Sequence, residues 1–248
     1  MRIDISKTRE EMGKKSAARV IGEIQKAIAA RGKARVILAT GASQFDLISN
    51  LTASSVDWSK VEAFHLDEYI GLPETHPASF RKYLKERFVA KVKGLQTFHW
   101  VNGDEKDTAA ECKRLGKLIS AAPIDVACVG IGENSHLAFN DPPANFDTDE
   151  AFIAVTLDEA CRKQQMGEGW FKTINDVPPT AITMTIKQIM KAKVLVVTVP
   201  DQRKAQAVTV TFEGPVTNQV PASIMQKHPD CDLYLDSAAA SLLTGATK

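Results

Sequence analysis

The residues best suited to chemistry fall in five short stretches. In GIGENSHLAFND, residues 130–141, a histidine (His136) follows an amide (Asn134) and precedes a carboxylate (Asp141). A histidine with such neighbours can be held in one tautomer and exchange protons near neutral pH. His65-Leu66-Asp67-Glu68-Tyr69 places two adjacent carboxylates at the end of an apolar run. If the strand continues, they point to opposite sides, so one can face a cleft while the other contacts the structure. A carboxylate so placed can have a raised pKa and shuttle a proton. Two solvated charges at a strand end fit the residues equally well. Thr40-Gly41-Ala42-Ser43 joins an apolar run to a helical segment. Such a turn offers free N–H groups and a positive helix end to an anion, although Ser43 could simply cap the helix. Asp201-Gln202-Arg203-Lys204 and Arg162-Lys163 bring cations that could meet an anion or lie as solvated charges.

Other chemistries find less support. No GxSxG elbow marks a serine nucleophile. Cys112, Cys128, Cys161 and Cys231 are far apart, with no CxxC pair, which fits reduced thiols in a cytoplasmic protein. His136 and Asp141 could be metal ligands, but no HxxxH or HExxH spacing accompanies them, so no metal is expected. His65, His76, His99 and His228 sit in no motif of this kind. A formal net charge of +1 gives no support for nucleic acid or an acidic membrane as partner. The charged start, MRIDISKTREEMGKKS, lacks the apolar core of a signal peptide, and no apolar run is long enough to cross a bilayer.

The elements that must position these residues alternate. Apolar, β-rich runs predict strands at 35–39, 61–66, 95–100, 126–131, 151–156, 181–185, 194–199 and 231–235. Helical spacing appears at 8–31, 45–51, 79–92, 107–121, 159–171, 186–191, 202–212, 221–227 and 237–243. Strands alternating with helices predict βαβ units: a Rossmann-like, doubly wound, largely parallel α/β sheet with helices on both faces. No composition shift or linker divides the chain, so 1–248 is expected to form one domain. In such a sheet, ligands bind beyond the carboxyl ends of the strands, where all five stretches fall.

These pieces, in this order, resemble the glucosamine-6-phosphate deaminase (isomerase) family, within the group that includes 6-phosphogluconolactonases. The carrying segments are ATGAS at 39–43, FHLDEYIGL at 64–72, HPASF at 76–80, GIGENSHLAFNDP at 130–142, and RKAQAV at 203–208 followed by Glu213-Gly214. The resemblance implies a cytoplasmic enzyme of amino-sugar metabolism that takes a hexosamine 6-phosphate and needs neither cofactor nor metal. It is compatible with a homo-oligomer. The sugar ring opens, a proton moves between C2 and C1, and ammonia leaves to give fructose 6-phosphate. By resemblance Asp67 is the base for that proton, His136 assists ring opening, and Asn134 and Asp141 orient and tune the histidine. Thr40, Gly41, Ala42 and Ser43 resemble the phosphate loop, Arg162 and Lys204 its cationic clamp, and Glu68 a further substrate-binding position. Three positions depart from the common pattern: Asn134 where many relatives have Asp, Ser135 where Gly is usual, and Asp141 where Glu is usual. A 6-phosphogluconolactonase, or a phosphosugar sensor with weakened turnover, is the alternative that these residues leave.

Overall fold

The computed structural model describes residues 1–245. Its main sheet is built from the most apolar runs of the chain. These are β2 (Ala34–Leu38), β3 (Val61–His65), β6 (Val126–Val129), β9 (Val194–Val199) and β10 (Cys231–Asp236), with β1 (Arg2–Ser6) and β5 (Thr97–His99) at the edges. The order is β1-β10-β9-β6-β2-β3-β5, and every neighbouring pair is parallel. The chain winds outward from β2 through β3 to β5, then returns beside β2 as β6 and winds the other way. The gap between the carboxyl ends of β2 and β6 is therefore the switch point at which open α/β sheets hold ligands.

Alternation along each strand divides the core between the two faces. Val36, Leu38, Ala63, Val126 and Cys128 pack on one side with Val20, Ile24 and Leu47, from helices α1 (Arg9–Arg31) and α2 (Phe45–Thr52). Ile37, Phe64, Ala127 and Val129 pack on the other with Leu115 and Ile119 of α4 (Thr108–Ser120) and Val208 of α7 (Ala205–Phe212). Helix α1 starts where the Thr8 side chain accepts from the Glu11 N–H and stops at Gly32, whose φ of 75° suits glycine.

Two expected strands leave this sheet. β7 (Phe152–Thr156) and β8 (Thr180–Met184) form a separate antiparallel sheet with β4 (Asp67–Tyr69), in the order β4-β8-β7. The chain passes from β3 into β4 at Leu66, whose carbonyl accepts from the Met184 N–H at 2.7 Å. A third apolar cluster, with Tyr69, Phe80, Phe139 and Phe171, fills the space around this small sheet.

Other departures are local. The segment expected to be helical over 79–92 is α3 (Phe80–Leu84) followed by a wide π turn at Lys85–Val89. The stretch 237–243 makes only hydrogen-bonded turns, and 221–227 is a 3-10 helix. β1 was not expected, because an edge strand with alternating charge carries no apolar run; Arg2 pairs with Asp232 of β10 at 2.6 Å. The remaining helices are α5 (Glu159–Gly167) and α6 (Ile186–Ile189). Among the described residues no helix is long and apolar enough to cross a membrane.

Candidate active site

The loops after β2, β3, β6 and β9 meet at one cleft, roofed by α5. Thr40 to Ser43, Asp67, Gly130 to Gly132, His136, Gln164, Gln165, Glu168 and Lys204 line it, with apolar walls from Leu66, Phe80, Ala138 and Phe139.

His136 enters through a turn built on small residues. The Ser135 N–H donates to the Gly132 carbonyl, and the Gly132 N–H donates to the His136 carbonyl, each at 3.0 Å. A Cβ on Gly132 would stand 2.4 Å from Cε1 and Nε2 of the imidazole, so glycine is what lets the ring lie against the backbone. Ser135 is buried in the left-handed region with a φ of 66°, a conformation that a serine adopts at some cost. Beyond the histidine, Asn140 donates to the Leu137 carbonyl at 2.7 Å and the Met184 carbonyl at 2.8 Å, which folds the chain back toward the ring.

That fold-back delivers Asp141. Its Oδ1 lies 3.1 Å from His136 Nδ1, off the line of a good hydrogen bond but within charge-pairing distance. Asn134 donates to the same Oδ1 at 3.0 Å, and its own Oδ1 accepts from the His136 N–H at 3.1 Å. The Asp158 N–H donates to Asp141 Oδ2 at 3.1 Å. Burial pushes the Asp141 pKa up, but the histidine, the amide and this N–H outweigh it and hold the carboxyl below its usual range. Asn134 and Asp141 thus stand behind the histidine and do not themselves line the cleft.

Asp67 is the opposite case. Burial raises its pKa well above the usual carboxylate value, and the neighbouring Glu68 adds to the rise. No hydrogen bond to the Asp67 carboxyl counters them among the described residues. The surroundings thus push the proton affinities of the two carboxyls apart, Asp141 down beside the imidazole and Asp67 up in the cleft.

Glu68 corrects an expectation. β4 alternates, so Glu68 turns away from the cleft and accepts from Ser79 Oγ at 2.7 Å, Arg81 N at 2.9 Å, Tyr69 N at 3.0 Å and Phe80 N at 3.2 Å. It anchors the start of α3 and touches no cleft space.

The other end of the cleft suits an anion. Gly41, with φ of 90°, turns the loop after β2 into a short 3-10 helix at Ala42–Gln44, ahead of α2. Ser43 caps neither helix, so its hydroxyl is not used that way. Tyr83 Oη donates to the Gly41 carbonyl at 2.9 Å, and Arg9 donates to the Ala42 carbonyl, which holds the loop from behind. Lys204 is 5% exposed, and no carboxylate lies within ion-pairing distance of its ammonium among the described residues. Burial lowers its pKa, partly offset by the more distant charges of Glu168 and Glu133. Its neighbour Arg203 turns outward to Asp201 at 3.0 Å.

Arg162 is the second correction. Its guanidinium donates to the carbonyls of Ile174 at 2.7 Å and Val177 at 3.2 Å, so it ties α5 to the following loop and does not reach the cleft. Residues of α5 that were not expected, Gln164 and Gln165, do reach it, as does Glu168 just beyond. Their glutamine and glutamate types alone give no signal; only the roofing position of α5 reveals them. His136, Asp141 and Cys161 offer ligand-type atoms within 4.8 Å of one another. Burial first, then Asp141 and Asp158, push the Cys161 thiol up, so it is a neutral neighbour of the carboxylate.

A parallel α/β sheet whose switch-point cleft brings a glycine-turned loop and a buried ammonium together with a carboxyl of raised proton affinity and a supported histidine fits an acid–base enzyme of the Rossmann-like class. The comparisons with known proteins are narrower. The family model for glucosamine-6-phosphate isomerases/6-phosphogluconolactonase matches residues 7–233, and the chain belongs to that family. A glucosamine-6-phosphate deaminase of Lactobacillus delbrueckii subsp. bulgaricus is 36% identical over 246 residues, covering 98% of this chain and 100% of the relative. One from Oenococcus oeni is 35% identical, covering 98% and 99%. A solved monomeric glucosamine-6-phosphate deaminase superposes with a TM-score of 0.89 at 29% identity, covering 98% of this chain and 100% of that one. A 6-phosphogluconolactonase from Neisseria gonorrhoeae, described as putative, gives 0.76 at 18% identity, covering 95% and 99%, a likeness of fold alone.

Proposed function

We infer that this chain is a glucosamine-6-phosphate deaminase, converting glucosamine 6-phosphate and water to fructose 6-phosphate and ammonia. The observation that carries the chemistry is Asp67: buried in the cleft, free of hydrogen bonds and raised in proton affinity, on the same cleft as His136. The curated relatives that match nearly its whole length carry that activity in their names.

The geometry supports the following roles. Lys204 and the N–H groups and hydroxyls of Thr40–Ser43 bind the phosphate, remote from the reacting carbons, and this binding positions the sugar. His136 takes the proton of the anomeric hydroxyl and returns one to the ring oxygen, opening the ring. Asp67 removes the C2 proton of the open aldehyde while O1 takes a proton, giving an enolamine; a proton is then returned at C1 as the amine nitrogen gives one up, which leaves an imine at C2. Water adds to that carbon and ammonia departs. Each proton transfer by a placed group contributes roughly 10²–10⁴-fold. Asn134, through the His136 N–H, and Asp141, 3.1 Å from Nδ1, keep the imidazole oriented. Residues 1–248 act as one domain of a cytoplasmic enzyme in this reading.

The test is ammonia release from a panel of hexosamine 6-phosphates, run beside hydrolysis of 6-phosphogluconolactone. Ammonia from the gluco compound supports the reading. Lactone hydrolysis without ammonia replaces it with the lactonase, and tight binding without either product replaces it with a sensor.

A further inference from the structure

Asp158 belongs to none of the expected site residues, yet it touches both Asn134 and Asp141. It caps α5, its Oδ1 accepting from the Cys161 N–H at 2.5 Å. Its backbone N–H donates to Asp141 Oδ2 at 3.1 Å. Its Oδ2 accepts from Asn134 Nδ2 at 3.2 Å, and that same amide nitrogen donates to Asp141 Oδ1 at 3.0 Å. One NH2 group therefore bridges two carboxylates, using both of its hydrogens. The amide oxygen is committed as well, accepting from the His136 N–H at 3.1 Å.

We propose that Asp158 is a positioning residue for the His136–Asp141 pair, acting through Asn134, and that position 134 is an amide in this chain because it must donate to two carboxylates at once. The inference rests on the deaminase reading for its kinetic consequence, and on the hydrogen bonds alone for its structural one. A carboxylate at 134 would here face Asp141 and Asp158 together. Three like charges would crowd a half-buried space with no donor between them, an arrangement that forces a side chain out or binds a proton. The amide at 134 and the acid at 158 thus form one device. It also joins the catalytic turn to α5, whose Gln164 accepts from the Glu133 N–H at 2.8 Å and lines the cleft.

The test is a cycle of three variants: N134D, D158N and N134D/D158N. N134D places the three carboxylates together and is expected to lower kcat about tenfold, within the range measured for contacting polar pairs, and to lower Tm. D158N alone keeps the helix cap, since an asparagine oxygen still accepts the Cys161 N–H, but it turns an NH2 toward that of Asn134 and is expected to lower kcat about threefold and Tm slightly. N134D/D158N gives the carboxylate at 134 one amide donor again and recovers part of the lost kcat and Tm. It also returns the pH profile of kcat, which the extra carboxylate in N134D displaces to higher pH. A double variant as poor as N134D, or worse, overturns the proposal. So does an N134D protein with wild-type kcat and Tm. Because the Tm recovery is read without substrate, the bridge is tested even if the wild-type protein releases no ammonia, a result that would sink the functional reading alone.

Discussion

Gly132→Ala is the sharpest probe of how the histidine is held. The added methyl would sit 2.4 Å from Cε1 and Nε2 and 2.5 Å from Cδ2 of the imidazole, whereas ordinary contact is 3.4–4 Å. The ring must therefore retreat by about 1 Å, since the methyl is fixed to the backbone. A displacement of about 1 Å at a reacting group costs on the order of 10²-fold in rate, or about 2.7 kcal/mol of transition-state stabilisation. The phosphate end of the cleft, at Thr40–Ser43 and Lys204, is built on other loops and should be untouched. Steady-state ammonia release should show kcat down about a hundredfold, with inhibition by inorganic phosphate unchanged. A thermal melt confirms that the variant is folded. A Gly132→Ala enzyme within threefold of the wild-type kcat would refute the idea that the ring's seat against this glycine matters.

Further outcomes follow from the site. Asp67→Asn should lower kcat by roughly 10²–10⁴-fold with little change in KM, because it removes a base and not an anchor. The same substitution should flatten the pH dependence of stability. The raised Asp67 pKa means that the folded state keeps a proton which the unfolded chain releases, so stability falls as pH rises through the window above the ordinary carboxylate value. Melting curves should then show the Asp67→Asn gain in Tm to be larger near about pH 7 than near about pH 4. Lys204→Met should weaken competitive inhibition by inorganic phosphate by about 10–100-fold, the worth of one charged hydrogen bond in a buried place. Since burial lowers the Lys204 pKa, the wild-type protein should lose phosphate affinity on the alkaline side earlier than an exposed lysine would allow, read from inhibition constants across pH. Finally, EDTA should leave the rate unchanged, because Asp141 already accepts from Asn134 and Asp158 beside the imidazole, and inhibition by the chelator would contradict these roles.

Legibility in the sequence tracked physical simplicity. β9 is apolar throughout and bounded by polar residues, and its expected limits, 194–199, are the observed ones. β1 alternates charge because it is an edge strand, so no pattern marked it. The runs at 151–156 and 181–185 read as strands, but nothing in a short apolar run says which sheet it joins; the antiparallel pairing with β4 is a tertiary choice. At the site, the loops after strands were visible because glycines and polar residues end apolar runs there. Adjacent carboxylates fixed an alternation, but the direction of β4 decides that Asp67 faces the cleft and Glu68 the backbone of α3. Arg162 and Gln164, two residues apart on α5, lie on different faces, a distinction that depends on how the helix docks. Asp158 carried no signal: its contact with Asn134 joins residues 24 apart and required coordinates.

We propose that Asp67 and His136, on one phosphate-anchored cleft, move the protons that turn an amino sugar into a keto sugar. The most direct measurement is the simultaneous quantitation of ammonia and fructose 6-phosphate formed from glucosamine 6-phosphate by the wild-type protein and by Asp67→Asn. Equal amounts of both products are expected from the wild type, and a rate reduced by at least about a hundredfold in the variant. Equal rates from the two proteins, or no ammonia from the wild type, would contradict it.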